Sequence, residues 1–148
     1  MKFLIVIVLF TFIAHSAFAH VGESPSQIQT RYGPPTALPV APRKPATDAK
    51  VYQKNGIQIR VHYLDGKACL LEFFGINPTD RPEFFKTIED GGSWSGGIPY
   101  NVGGVSTGVA YMRSDGVVAR AFGSTVEIFT QKWFDASEAE QRNRIKGL

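Results

Sequence analysis

The sequence predicts an α+β fold of two similar halves. Each half reads as a short helix followed by a three-stranded antiparallel meander, and a polar helix closes the chain. Three observations lead there. Capping signatures at Ser24-Pro25-Ser26-Gln27 and at Asp80-Arg81-Pro82-Glu83 open short helices. Alternation of apolar and polar residues marks half-buried strands. The dipeptides Asn55-Gly56, Asp65-Gly66, Asp115-Gly116 and Gly123-Ser124 supply turns at hairpin spacing.

The elements follow in order. Ser24 fits the N-cap of the first helix and Gln27 the reciprocal position. Ile28 and Tyr32, four residues apart, share a face, and Gly33 with Pro34-Pro35 ends the helix. Residues 33–50 hold five of the nine prolines and read as an extended, exposed linker. Strands are expected at 51–54, 57–64 and 68–74. In the second, Ile57, Ile59, Val61 and Tyr63 alternate with Gln58, Arg60, His62 and Leu64. In the third, Cys69, Leu71 and Phe73 are expected on one face.

The second helix is expected from Asp80, with Phe84, Phe85 and Ile88 as its apolar stripe and Gly91 as its stop. Residues 91–108 carry seven of the fifteen glycines and read as a long irregular connection, with Trp94 folded into the core. Strands follow at 109–113, 117–122 and 125–131. Asp135 and Glu138 cap a solvated C-terminal helix of thin apolar content. The chain thus divides into a leader at 1–19, a first half at 20–75 that includes the linker, a second half at 76–134, and the polar helix at 135–148.

The leader carries the address. Lys2, an apolar run from Phe3 to Ile13 and the small-x-small site Ala17-Phe18-Ala19 have the layout of a secretory signal peptide cleaved after Ala19. The expected location is the periplasm or the medium, with no stable membrane anchor after cleavage. The formal charge of +3 includes Lys2, so the mature chain carries about +2. No block of Lys and Arg marks nucleic acid as a partner. One cysteine, Cys69, forms no internal disulfide and sits in the apolar run Ala68-Cys69-Leu70-Leu71, which reads as a buried small hydrophobe.

The order of elements is similar to the tandem repeat of β-lactamase-inhibitor-protein-like domains and of the SmpA/OmlA outer-membrane assembly lipoproteins. More closely, the chain resembles a set of short exported bacterial proteins of unknown function. The residues that carry this are Gln29-Thr30-Arg31-Tyr32-Gly33-Pro34-Pro35, Asn55-Gly56, Leu64-Asp65-Gly66-Lys67, Trp94 and the charged tail ending Lys146-Gly147-Leu148. The resemblance implies the fold and no activity. The chain lacks the lipid-attachment cysteine of the assembly lipoproteins and the disulfide pairs of the inhibitor proteins.

Chemistry-bearing residues are few. No catalytic residue and no cofactor is assigned. Cleavage after Ala19 places His20 at the N-terminus, where its amine and ring suit copper, with His62 as the one second ligand. A Cys69–His62 pair is placed across the Asp65-Gly66 hairpin, three residues from the turn on each side. Glu72, Glu83, Glu89 and Asp90 offer carboxylates without the fixed separation that glycoside hydrolysis needs. The glycine-rich segment at 91–97 lacks the Lys-Ser/Thr ending of a phosphate loop. The expectation is a non-enzymatic module that binds a protein or an envelope component through a sheet face or edge. The alternative is a small secreted enzyme or copper protein using His20, His62 or Cys69.

Overall fold

A computed structural model describes residues 21–88, 92–102 and 105–147. The leader, His20, Glu89, Asp90 and Gly91 lie outside the described residues. The fold is α+β. Seven strands form one antiparallel sheet: β1 (Asp48–Lys54), β2 (Ile57–Leu64), β3 (Lys67–Phe74), β4 (Trp94–Val102), β5 (Val105–Arg113), β6 (Val117–Phe122) and β7 (Thr125–Thr130). The helices are α1 (Pro25–Tyr32), α2 (Arg81–Thr87) and α3 (Gln131–Lys146). The strand order is β1-β2-β3-β7-β6-β5-β4, so two meanders join at the centre through β3 and β7. There Leu70 pairs with Phe129, Leu71 with Ile128, Glu72 with Glu127 and Phe73 with Val126.

One face carries the main core. Ile59, Val61, Leu71, Phe73, Ala119, Ala121, Val126 and Ile128 present it, and Ile28, Tyr32, Phe84, Phe85 and Ile88 cover it from the α1 and α2 side. The α1 cap forms as the sequence requires: the Ser24 hydroxyl accepts the Gln27 N–H, and the Gln27 side chain accepts the Ser24 N–H at 2.9 Å. Phe73 meets Phe84 edge-on at 5.1 Å, and Phe85 packs on Trp94 and Tyr111 at 5.1 and 4.4 Å. These aromatic contacts tie α2 to both meanders.

The structure departs from the sequence reading at five places. Residues 94–102 and 105–113 are paired strands rather than an irregular connection, so the second meander has four strands. β4 lies at the sheet edge, where Pro99 and two register shifts are tolerated, and these hide the period-two signal. The Asp80–Glu83 capping box does not form. Asp80 ends a 3-10 turn (Pro78–Asp80) in helical conformation, and its carboxylate instead takes the Asn77 amide and Thr79 hydroxyl, both at 3.2 Å.

α3 starts at Gln131, not at Asp135. Thr130 ends β7 and caps the helix at once, its hydroxyl accepting the Trp133 N–H at 3.1 Å. Trp133 and Phe134 therefore belong to the helix and dock it on the sheet. The linker is pinned rather than free. The Thr36 N–H donates to the Val51 carbonyl at 2.7 Å, the Thr47 N–H donates to the Tyr63 carbonyl at 2.9 Å, and Ala46 is buried.

Finally, the β2–β3 register slips between His62 and Tyr63: His62 pairs with Leu70 and Tyr63 with Ala68. Cys69 is the extra residue of this β-bulge. A bulge turns two successive side chains toward one side, which places Cys69 with Leu70, Phe129 and Trp133 on the second face, away from Leu71 and Phe73.

Candidate functional site

The second face of the sheet is built differently from the first. Its centre holds a small apolar cluster under α3, formed by Ala46, Cys69, Leu70, Phe129 and Trp133. Beside it runs a row of charged side chains that period-two geometry sends to this same face: His62, Glu72, Glu127 and Arg120. Glu72 and Glu127 are direct cross-strand partners, both almost fully buried. Like charges opposite each other repel, and a buried carboxylate without a partner is costly.

Arg43 resolves that conflict from outside the sheet. The strap 33–50 carries it over β3 and β7, and its Nη1 donates to Glu72 at 2.7 Å and also to Glu127. Arg120 holds the far side of Glu127, with Nη2 at 2.6 Å and Nε at 3.2 Å. His62 holds the far side of Glu72 through Nε2 at 2.8 Å, while its Nδ1 accepts the Arg43 backbone N–H at 3.1 Å. With Nδ1 accepting, the ring proton resides on Nε2 and is donated to Glu72. Burial pushes the Glu72 carboxyl up, but the hydrogen bonds from His62 and Arg43 pull harder, and it ends below the usual carboxylate range. Burial lowers the Arg43 guanidinium, and Glu127 and Glu72 together raise it further, so it stays charged.

Aromatic rings finish the cluster. Arg43 lies over Trp133 at 5.7 Å, and Arg120 lies over Phe129 at 4.9 Å and Phe134 at 5.7 Å. Between α3 and the strap opens a groove of about 350 Å³ with Arg43, Lys44, Arg120 and Arg144 along its walls. Farther along the same face, past α3, the described residues leave the sheet uncovered. Ile98, Met112 and Phe122 are 71%, 54% and 41% exposed, with Ala110 and Val118 half-buried between them. Strand register confirms the common face: Ala110 pairs with Ile98 and Arg120, and Met112 with Ser95 and Val118.

The residues singled out from sequence land as follows. Both ring nitrogens of His62 are engaged within the charged row, and His20 lies outside the described residues. Among the described residues no group of three or more His, Cys, Asp or Glu side chains is placed to hold a metal. The hairpin does bring Cys69 to His62, but the Cys69 thiol donates to the His62 carbonyl at 3.3 Å rather than to the ring. The bulge gives that geometry, and no nucleophile–base pair exists there. Glu83 is exposed and pairs with Lys86, while Glu72 is drawn into the buried row.

Burial pushes the Cys69 thiol up to about 11. In the folded protein at pH 8, Ellman's reagent is therefore expected to react about 100-fold more slowly than in the urea-unfolded chain, because the thiolate is the attacking form. Equal rates would place the thiol at the surface.

Arg43, Glu127 and Arg120 escaped the sequence reading. Arg43 sits in a proline-rich segment that looks like a spacer. Glu127 lies between Val126 and Ile128, as any polar residue of a half-buried strand does. The one available signal was Glu72 and Glu127 at matching places in apolar strands, which becomes informative only once β3 and β7 are known to pair.

No protein-family model, curated protein or solved structure matches this chain. Fold and site together define an α+β protein with a seven-stranded antiparallel sheet, helices on both faces, and one sheet face that the described residues leave half open. Among the described residues no helix is long and apolar enough to cross a membrane.

Proposed function

We propose that this chain is an exported, non-enzymatic binding module that docks another protein on the open half of its second sheet face. The observation that carries the reading is the cluster of Ile98, Met112 and Phe122, large apolar side chains exposed on one face beside Ala110 and Val118. Contiguous exposed apolar surface on one sheet face favours an interaction site. The other face is covered by α1 and α2, so the asymmetry selects one surface. The leader sequence supports export, with a partner in the envelope or the medium. The two helix-led meanders are read here as related halves, in keeping with the resemblance to tandem-repeat inhibitor and assembly proteins.

A photo-crosslinking side chain at position 112 tests this in the cell that makes the protein. A discrete adduct with a different protein is expected, together with its loss when Ile98 and Phe122 are changed to Asp. The same probe at Lys67, an exposed position at the start of β3, is expected to give none. No adduct from position 112, or one containing only a second copy of this chain, would overturn the reading.

A further inference from the structure

We propose that the groove between α3 and the strap binds a carboxylate of an acidic peptide segment presented by the docked partner. The proposal rests on the docking reading above and names what the partner must carry. Three observations lead to it.

First, the groove holds cationic capacity that the protein does not use. Lys44 and Arg144 line it and have no ion-pair partner among the described residues. Arg43 satisfies both buried carboxylates through Nη1 alone. Its Nε and Nη2 have no protein acceptor among the described residues, and its side chain is 42% exposed. That remaining edge of the guanidinium has the spacing of a planar carboxylate. Glu138 is the single acidic residue of the lining, which leaves the walls positive.

Second, Trp133 lines the same groove, and also a smaller hollow beside Leu64 and Lys67, and its indole Nε1–H is buried with no hydrogen-bond partner among the described residues. A buried indole N–H normally finds an acceptor. The Trp133 ring lies in the groove wall beneath the Arg43 guanidinium, so its indole signal reports a carboxylate held there.

Third, the groove is continuous with the open apolar face. Arg120 lines the groove, and its neighbours on the same face of β6 are Val118 and Phe122. A peptide lying on Met112 and Phe122 reaches the basic walls within a few residues. Apolar contact beside fixed positive charge is the complement of a chain with apolar and acidic residues close together.

The test uses the purified chain, uniformly ¹⁵N-labelled, titrated with a short acetylated oligo-glutamate peptide. The two indole N–H signals are assigned by Trp94→Phe. The Trp133 indole signal is expected to shift saturably, with no such shift on adding oligo-lysine. Reversing two rim charges, Lys44→Glu with Arg144→Glu, is expected to weaken binding about ten-fold or more. Lys86→Glu, a charge reversal at an exposed position of α2 over the other sheet face, is expected to leave oligo-glutamate binding unchanged.

An unmoved Trp133 signal, wild-type affinity in the doubly reversed variant, or inorganic phosphate shifting that signal at the same concentrations as the peptide would each overturn the proposal. The docking reading fails separately: the adduct from position 112 is then lost while the Trp133 shift with oligo-glutamate persists.

Discussion

Arg43→Met is expected to destabilise the fold by about 2–3 kcal/mol at pH 7. Removing one partner of a buried ion pair costs about 3–5 kcal/mol. The value here is set lower because the Arg43 side chain is 42% exposed and its attraction is partly screened by solvent. Met keeps most of the aliphatic length, so the loss reports charge rather than packing. The backbone bond from residue 43 to His62 survives the substitution, whereas the charge between Glu72 and Glu127 does not.

The pH dependence carries the diagnostic sign. In the native protein the Glu72 carboxyl lies below its ordinary value, so its contribution is full above the unfolded value of about 4.3 and is lost as pH falls through the folded value. In Arg43→Met the burial cost remains and one hydrogen bond and one countercharge are gone, which moves Glu72 upward. The variant then gains relative to the native protein as pH falls. Urea unfolding at pH 7 and pH 4 measures this, and the difference between the two proteins is expected to shrink at pH 4. A difference independent of pH would mean that the strap is held by packing. Arg43→Lys is expected to recover part of the loss, since a single ammonium cannot reproduce the guanidinium geometry.

Phe73→Ala is expected to cost about 3–5 kcal/mol, the range for removing a fully buried aromatic ring. Phe73 is 0% exposed on the central strand β3, pairs with Val126 across the junction of the two meanders, and meets Phe84 of α2 edge-on. Truncation opens a cavity where three elements converge, and rigid sheet neighbours cannot close it. Its sequence neighbour Phe74 points to the opposite face, only partly buried beneath the Arg60 guanidinium at 4.6 Å. Phe74→Ala is expected to cost about 1 kcal/mol. Chemical denaturation of both variants reads the contrast. Equal losses would mean that the two faces of β3 do not differ as described.

The contrast between adjacent phenylalanines shows what strand periodicity conveys and where it stops. Alternation placed Ile59, Val61 and Phe73 on one face because any half-buried strand must obey it. It failed at Cys69, where one extra residue shifts the register, and bulges leave no mark in composition. It failed again at β4, where glycines and Pro99 obscure the pattern and the strand is defined by hydrogen bonding to β5. Helix starts were legible where a cap is purely local, as at Ser24. Asp80 does stand at the N-cap of α2, but the preceding 3-10 turn takes its carboxylate away from capping, and Thr130 rather than Asp135 decided the start of α3.

The sequence by itself determined the α+β class, the hairpin turns, the first helix with its capping box, and the burial of Cys69. Each of these depends on residues within a few positions of one another, where backbone geometry and side-chain polarity leave little choice. Tertiary structure alone decided that β3 would lie beside β7, and with that pairing came the opposed Glu72 and Glu127, the need for Arg43 between them, and the basic groove beside α3. Arg43 and Glu127 are 84 residues apart in the chain. A buried carboxylate cannot be recognised until its strand neighbours are known, and a cation in a proline-rich segment gains its role only when the strap crosses the sheet that needs its charge.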